Sequence, residues 1–467
     1  MANVFRTVIR IITCIALFIC PMPTEKKCEA EFNGTFIQSW MSSYWDDERW
    51  QDEIGAMKEA GIKYLIIQDV AHKASDGTWT IYYNSNLDTF TNATFGAADV
   101  VESALRNCEG SGIKVMVGLG LYDEWWTKSG FGKDYSELCN VSADMIEEIY
   151  NKYVPKYPDA FYGWYFTPEM SNGPLVKLSS PFIAKGVNVI IDAIERTDAD
   201  APLLLSPFFS QYGANPGIES AKLFWASFIK SVNFREHDIF CPQDAVGAGW
   251  TIEENLVNVW RMYSDAVKLS GKNIRLWANV ENFTSAVAKS NTTGITTPLV
   301  TENTQDVTAT LDRLVKQMDI ASRYAENIIT FSYNHYYSPV YVDPMFHNTY
   351  VDYLKHGHVL ESEAPTAPTD LGFSVDGDGN TVLSWQASTD NFGVAYYRIC
   401  ADGKFLTRCE YNEGSAAVIE NAQGGTVYSI TAYDAAGNAS QAAEIVYQQT
   451  PIYEKSAGHY KNRLIHL

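Results

Sequence analysis

Trp50-Gln-Asp-Glu-Ile-Gly-Ala-Met-Lys-Glu-Ala-Gly-Ile-Lys-Tyr-Leu-Ile-Ile-Gln68 contains one full repeat of the pattern on which most of the chain is built. Trp50, Ile54 and Met57 recur at spacings of four and three, so residues 50–60 present one apolar face as a helix. Gly61 follows the last periodic position, where helices often end in a left-handed turn that glycine adopts without strain. The run from Ile62 to Gln68 is short and almost continuously apolar, which reads as a strand buried on both faces. The same grammar recurs outward in both directions. Strands are expected at 34–41, 62–70, 113–121, 161–169, 202–210, 238–246, 273–281 and 328–336, with amphipathic helices between them, as in Ile183, Val187, Ile190 and Ile194. Gly112 closes another helix just before a strand, and Thr251 with Glu254 reads as a capping box. Eight strands alternating with helices predict an α/β fold, a closed (β/α)8 TIM barrel. An open doubly wound sheet shares the local pattern, but no Gly-rich phosphate turn follows the first strand, which weighs against it.

The barrel is expected over residues 31–360. Residues 1–30 read as an export signal peptide, because Arg6 and Arg10 precede the apolar run Ile11 to Cys20, which ends at Pro21. That run is too short to span a bilayer as a stable helix, so a secreted, periplasmic or cell-surface protein without stable membrane insertion after cleavage is expected. Glu361-Ser-Glu-Ala-Pro-Thr-Ala-Pro-Thr369 is a Pro-rich linker, 361–369. Short alternating runs follow over 370–448, including Thr381-Val-Leu-Ser-Trp385 and Ala395-Tyr-Tyr-Arg-Ile399, and predict a small all-β sandwich. Residues 449–467 carry no pattern and read as a C-terminal tail. Six cysteines lie from Cys28 onward in no metal-ligand spacing; Cys400 and Cys409 either pair across a hairpin or remain free buried thiols.

A formal net charge of −21 argues against nucleic acid or an anionic membrane as partner, since both repel such a surface. With 28 Tyr and 12 Trp, the chain is rich in rings that combine an apolar face with a polar edge, as sugar surfaces require, although large barrels are often aromatic-rich for packing alone. His72, His237 and His335 fall on different strands or loops with no paired spacing, so no metal site and no cofactor are expected. The absence of a Ser-centred nucleophile elbow counts against an esterase.

In a barrel of this kind the reacting groups lie where the strands end. Strand four ends Phe161-Tyr-Gly-Trp-Tyr-Phe-Thr-Pro-Glu169, and strand seven ends Arg275-Leu-Trp-Ala-Asn-Val-Glu281. Two carboxyl groups across the mouth suit glycoside hydrolysis, one donating a proton to the leaving oxygen and the other attacking the anomeric carbon. Glu169 and Glu281 are therefore the candidate catalysts, while a salt-bridged rim residue is the ordinary alternative for either. Candidate sugar contacts at the rim are Gln38, Trp40, Gln68, Tyr122, Trp125, Trp126, Tyr165, Gln243, Asp244, Asn279, Tyr333 and His335. Asp244, ending strand six, is also the competitor for one catalytic place. The expected partner is a carbohydrate substrate, met by a monomer.

Glutamates ending strands four and seven resemble the arrangement of clan A retaining glycoside hydrolases, which implies Glu169 as acid/base and Glu281 as nucleophile. The pattern departs at Pro168, where that clan usually places an Asn that touches the sugar 2-OH; Asn279 and Asn282 are candidates for the missing contact. Residues 34–355 also resemble a bacterial family of candidate glycoside hydrolases described chiefly as a domain of unknown function. The phrases that carry this are Gly34-Thr-Phe-Ile-Gln-Ser-Trp40, Trp50 to Gln68, Gly163-Trp-Tyr165 with Glu169, and Gln243-Asp244. The C-terminal segment resembles a bacterial fibronectin type III module, with Trp385, Ser388-Thr-Asp-Asn391 and Ala432-Tyr-Asp-Ala-Ala-Gly-Asn438, and such modules are more often spacers. A catalytically silent glycan-binding barrel and an inverting hydrolase using Asp244 are the competing readings.

Overall fold

The computed structural model describes residues 26–212, 217–285 and 306–448, so most of the expected leader and all of the expected tail, 449–467, lie outside the described residues. The chain divides into two compact units, one reaching to Ser362 and one beginning at Glu363. In the first, eight parallel strands close on themselves: β1 (Gly34–Ile37), β2 (Tyr64–Ile67), β3 (Lys114–Gly118), β4 (Phe161–Phe166), β5 (Leu203–Leu205), β6 (Ile239–Phe240), β7 (Arg275–Glu281) and β8 (Asn327–Phe331). Each pairs with its sequence neighbours, and β8 returns to β1 through Thr330 and Thr35. The TIM barrel is thus realised and the open sheet excluded. Every strand stops short of the expected C-terminal limit except β7, because the rim residues turn into loops or short helices such as Ser39–Ser42.

Among the described residues, eight longer helices follow the strands in turn: α1 (Asp47–Glu59), α2 (Val100–Cys108), α3 (Lys133–Tyr153), α4 (Pro174–Thr197), α5 (Ile218–Ser231), α6 (Leu256–Ser270), α7 (Leu311–Ala321) and α8 (Pro344–Lys355). The expected faces are the buried ones, with Trp50, Ile54 and Met57 on α1 and Ile183, Val187, Ile190 and Ile194 on α4. Helix α4 is long and apolar enough to cross a bilayer by length and composition, and that buried face places it in the barrel's outer layer. Gly61 and Gly112 take φ of +73° and +91°, as a helix stop before a strand requires. The capping box at Thr251 does not form. Thr251 is buried and its hydroxyl donates to the Phe209 carbonyl, while α6 starts after a short 3-10 turn at Glu253–Asn255.

Period-two alternation sends one residue or more from every strand into the barrel: Phe36, Ile66, Met116, Tyr165, Leu204, Ile239 with Cys241, Trp277 and Ile329. Where the strands begin, Arg275 donates to the Tyr162 hydroxyl at 2.8 Å and lies over the Trp277 ring, closing that end. Where β2 and β3 end, Ala71–Lys73, Trp79–Ile81, Thr94–Phe95 and Gly120–Tyr122 form a separate four-stranded sheet at the rim, in which Trp79–Ile81 pairs antiparallel with Ala71–Lys73. Residues 27–30, placed by sequence in the leader, are packed on the barrel: the Lys27 and Cys28 amides donate to the Ser322 carbonyl, and the Tyr353 hydroxyl donates to the Ala30 carbonyl.

The second unit is a sandwich of two antiparallel sheets. β9 (Thr369–Val375), β10 (Thr381–Gln386) and β13 (Ala416–Ile419) form one, in the order β9-β10-β13. β11 (Val394–Ala401), β12 (Lys404–Glu410), β14 (Val427–Asp434) and β15 (Ala443–Val446) form the other, in the order β12-β11-β14-β15. Leu383, Trp385, Tyr397, Ile399 and Ile430 fill the space between them. Cys400 and Cys409 do not face each other across the β11–β12 hairpin, where their partners are Phe405 and Tyr397, and both are free.

Candidate active site

Glu281 ends β7 on the same face as Asn279 and Trp277, two and four residues back, so alternation sends it into the barrel mouth, where it is 3% exposed. The segment after β6 wraps it. The Asp244 amide donates to the Asn279 carbonyl, and the Asp244 carboxylate accepts the Val246 amide at 3.2 Å in a tight turn that puts Ala245 at φ +56°. This turn delivers the Ala248 amide to Glu281 Oε2 at 2.7 Å. Only glycine fits at 247, since a Cβ there would stand 2.4 Å from the Phe283 carbonyl oxygen and 2.9 Å from the Glu281 side chain.

Behind Glu281 lies a polar brace. Asp244 Oδ1 accepts the Glu281 amide at 3.3 Å, and its Oδ2 accepts Gln317 Nε2 at 2.5 Å. Arg313, one turn earlier on α7, donates to the carbonyls of Glu281 and Phe283 and to the Thr284 hydroxyl. Gln317 and Arg313 thus hold the backbone of the β7 end from the helical layer.

Glu169 stands three residues beyond β4. Its carbonyl accepts the Trp125 indole N–H at 2.7 Å, and its carboxylate is hydrogen-bonded by the Gln243 side chain, which also donates to the Ser206 carbonyl. Isolated parallel bridges join Ser171 to Phe208, Phe208 to Gln243 and Gln243 to Asn279, carrying the barrel register one tier past β4, β5, β6 and β7. Gln243 and Asn279 therefore share the tier between the two glutamates, and the Asn279 amide group donates to the Ser206 hydroxyl.

Burial pushes the Glu169 carboxyl up to about 7, against the pull of its hydrogen bond from Gln243. Glu281 is also pushed up, first by burial and then by the Asp244 charge, with a further push from Glu169; the Ala248 amide and Arg313 oppose this. Asp244 is raised by burial and held down by its three N–H donors and Arg313. Both glutamates are thus held toward their protonated forms, Glu281 at about 8 above Glu169, and the charge that Glu281 meets most strongly is that of Asp244.

With this geometry in hand, comparison with known proteins locates the chain. A family model described as a domain of unknown function, DUF4434, matches residues 32–343. The chain belongs to this family. Its DUF4434 domain coincides with the barrel strands and the rim that carries both glutamates. A structure described as a candidate alpha-L-fucosidase from Bacteroides thetaiotaomicron matches with a TM-score of 0.56 and 17% identity, over 73% of this chain and 96% of that one, which shows a shared fold. Chitinase A1 of Niallia circulans is 38% identical over 92 residues, 19% of this chain, and Chitinase Chi52 of Paenibacillus xylanexedens is 38% identical over 85 residues, 18% of this chain. The chain matches only 13% and 16% of those two proteins' lengths.

Around the DUF4434 rim, the other expected sugar contacts fall into two layers. Trp40 is 53% exposed and meets His335 edge-on, and His335 stacks on Tyr336 at 4.6 Å, so the ends of β1 and β8 build one aromatic wall. Trp126 is exposed, Gln68 is half-buried, and Gln38 and Gln243 lie at the edge of burial. Beside Gln68, Asp69 and Asp123 grip His72, whose imidazole is raised to about 9 by the hydrogen bond to Asp69, partly opposed by burial, and then by Asp123. Tyr122, Trp125, Tyr165, Asp244 and Tyr333, expected as sugar contacts, are buried beneath the rim. Trp125 braces Glu169, Asp244 braces Glu281, Tyr165 packs in the barrel cluster, and the Tyr333 hydroxyl is bonded to His347 Nδ1. Asn279 and Asn282 are buried too, each with a polar atom that has no hydrogen-bond partner among the described residues.

Sequence reasoning missed Gly247, Ala248, Arg313 and Gln317. The phrase Gly247-Ala-Gly249 after strand six signals a tight loop, and Arg313 with Gln317 at a spacing of four is a polar pair on a face otherwise built from Leu311, Leu314 and Met318.

Proposed function

We propose that this protein is an exported, monomeric glycoside hydrolase that cleaves poly- or oligosaccharide by a retaining mechanism, with Glu169 as acid/base and Glu281 as nucleophile. The observation that carries this reading is the pair of buried, mutually repelling glutamates at the ends of β4 and β7, on a barrel whose mouth is walled by Trp40 and His335. A double displacement starts with one carboxyl protonated and the other ionised. Glu281 attacks the anomeric carbon while Glu169 gives its proton to the departing glycosidic oxygen. A covalent glycosyl-enzyme forms and the aglycone leaves as an alcohol. Glu169, now ionised, takes a proton from water, which displaces Glu281 and releases the sugar with its configuration retained. The Ala248 amide and Arg313 pull Glu281 toward its anion, while burial and the Asp244 charge hold it at about 8, above Glu169 at about 7, so this division of roles requires the proton to sit on Glu169 once substrate is bound. Asp244 is less suited to inversion, because it is fully buried and occupied by the Val246, Glu281 and Gln317 donors. The likeness of part of the chain to chitinases supports a carbohydrate substrate.

The test is to incubate the protein with a panel of 2-deoxy-2-fluoro aryl glycosides and map any adduct by peptide mass spectrometry. A covalent sugar on the peptide containing Glu281, abolished by Glu281→Gln, is expected. Turnover of aryl glycosides with release of the inverted anomer would remove the retaining mechanism, and glycan binding without turnover by any member of the panel would leave a silent binding barrel.

A further inference from the structure

At the end of the barrel where the strands begin, opposite the two glutamates, a cavity of about 390 Å³ opens between α6, the end of α7 and the segment before β1. Lys26, Lys27, Arg261, Lys268 and Arg323 line it, and Asp265 is its only acidic lining residue among the described residues. That balance is anomalous for a chain with 35 Lys and Arg against 56 Asp and Glu. Lys26 is paired with Glu29 and Arg323 with Asp319, but Lys27, Arg261 and Lys268 have no ion-pair partner among the described residues. Cations near helix C-termini offset the helix dipole, which accounts for Lys268 and Arg323. It does not account for Arg261 in the middle of α6 or for two lysines brought in from a separate segment and fixed there by the Lys27 and Cys28 amides on the Ser322 carbonyl. The buried residues Ser264 and Tyr324 complete the lining.

We propose that this pocket binds a phosphate ester, in a protein that keeps Lys26 and Lys27 after export. Counting Asp319 and Glu29 with Asp265, cations still outnumber acids by five to three, a surplus that matches the charge of about −1.5 to −2 on a phosphate monoester. An arginine fork and lysine point charges suit the several oxygens of such a group better than they suit a single carboxylate. The volume admits the ester group with part of its alcohol. Because the pocket lies at the far end from the glutamates, its occupant acts as an anchor or effector and not as the group cleaved.

The same ligand chemistry is offered by soluble phosphate esters and by anionic lipid headgroups, and two arms separate them. The first is calorimetric titration with inorganic pyrophosphate at constant ionic strength, with chloride as the blank. The second is co-sedimentation with vesicles of phosphatidylglycerol in phosphatidylcholine against phosphatidylcholine alone. In both arms the variant is Arg261→Gln with Lys268→Gln, two exposed positions whose replacement leaves the packing intact. The control is Lys133→Gln with Lys185→Gln, which removes the same charge elsewhere on the barrel. Binding in either arm that weakens about thirtyfold in the pocket variant and stays within about twofold of wild type in the control supports the site, and the arm that responds names the source. Equal weakening in both variants, or no binding above the blank in either arm, overturns it.

Discussion

Replacing Glu169 by Gln is expected to stabilise the barrel above neutral pH while removing its activity. Burial raises the Glu169 carboxyl from 4.5 to about 7, so over that window the folded state holds a proton that the unfolded chain has released. The unfolded state binds fewer protons than the folded one there, and stability therefore falls as pH rises from about 4.5 and levels off above about 7. A shift of about 2.5 units corresponds to about 3 kcal/mol at most. Glutamine keeps an acceptor for the Gln243 amide and cannot ionise, so the variant escapes that loss. Below about pH 4, where the carboxyl is protonated in both states, the two proteins should unfold at nearly the same denaturant concentration. At about pH 8 the variant should gain a stability of the order of 1–3 kcal/mol. Loss of the proton donor should lower kcat by about 10²–10⁴. Urea unfolding of both proteins across the range measures the gap directly. A gap that does not grow with pH, or a variant less stable than wild type at about pH 8, would refute the placement of Glu169 as a buried, proton-holding carboxyl.

Other outcomes follow from the same rim. Asp244→Asn removes the charge that pushes Glu281 up, so ionisation of Glu281 becomes easier and the acid limb of the kcat/KM profile should move down by about one pH unit or more; an unmoved limb contradicts the brace. Gly247→Ala drives a Cβ against the Phe283 carbonyl, which no side-chain rotation relieves, and should cost about 1–3 kcal/mol in urea unfolding and lower kcat by displacing the Ala248 amide from Glu281. Trp40→Ala, at a half-exposed position on the aromatic wall, should raise KM severalfold with stability changed by less than about 0.5 kcal/mol; a large loss of stability would mean that the ring is packing and not platform.

The barrel was legible because its code is local. Each helix face and each strand is written in a dozen consecutive residues, as in Trp50 to Gln68, and all eight strand centres fall inside the expected segments. Strand ends were less legible: hydrophobic runs such as Gly34 to Met41 continue into the rim, where Ser39–Ser42 coil into a helix, and hydropathy does not distinguish a strand from a buried turn. For the same reason Tyr122, Tyr333 and Asp244 looked like cleft residues. Their positions along the chain were right for the rim, but which way each points depends on loops that close through contacts distant in sequence, such as Tyr333 on His347 and Asp244 on Gln317. Gly247 and Ala248 signal a tight loop but not its role at Glu281, because a backbone amide leaves no side-chain signature.

Asp244 shows why the rim is built as it is. Left alone, a carboxyl as buried as Glu281 would stay protonated and could not attack. Placing a second acid behind it raises the carboxyl further, which looks like the wrong direction. The arrangement works because Asp244 is spent on structure: its oxygens hold the turn that aims the Ala248 amide and fix the backbone of Glu281 itself. Arg313 then offsets the added charge while its own donors bind carbonyls of the same strand end. Removing the acid alone takes from Arg313 the strongest of its counter-charges, and removing Arg313 alone leaves two carboxyls facing each other. Each single change should therefore damage stability more than the pair replaced together, and a double-mutant cycle on Asp244→Asn and Arg313→Met should return a coupling of about 1 kcal/mol or more. Additive losses would mean that the two charges do not serve each other, and the brace would reduce to its hydrogen bonds.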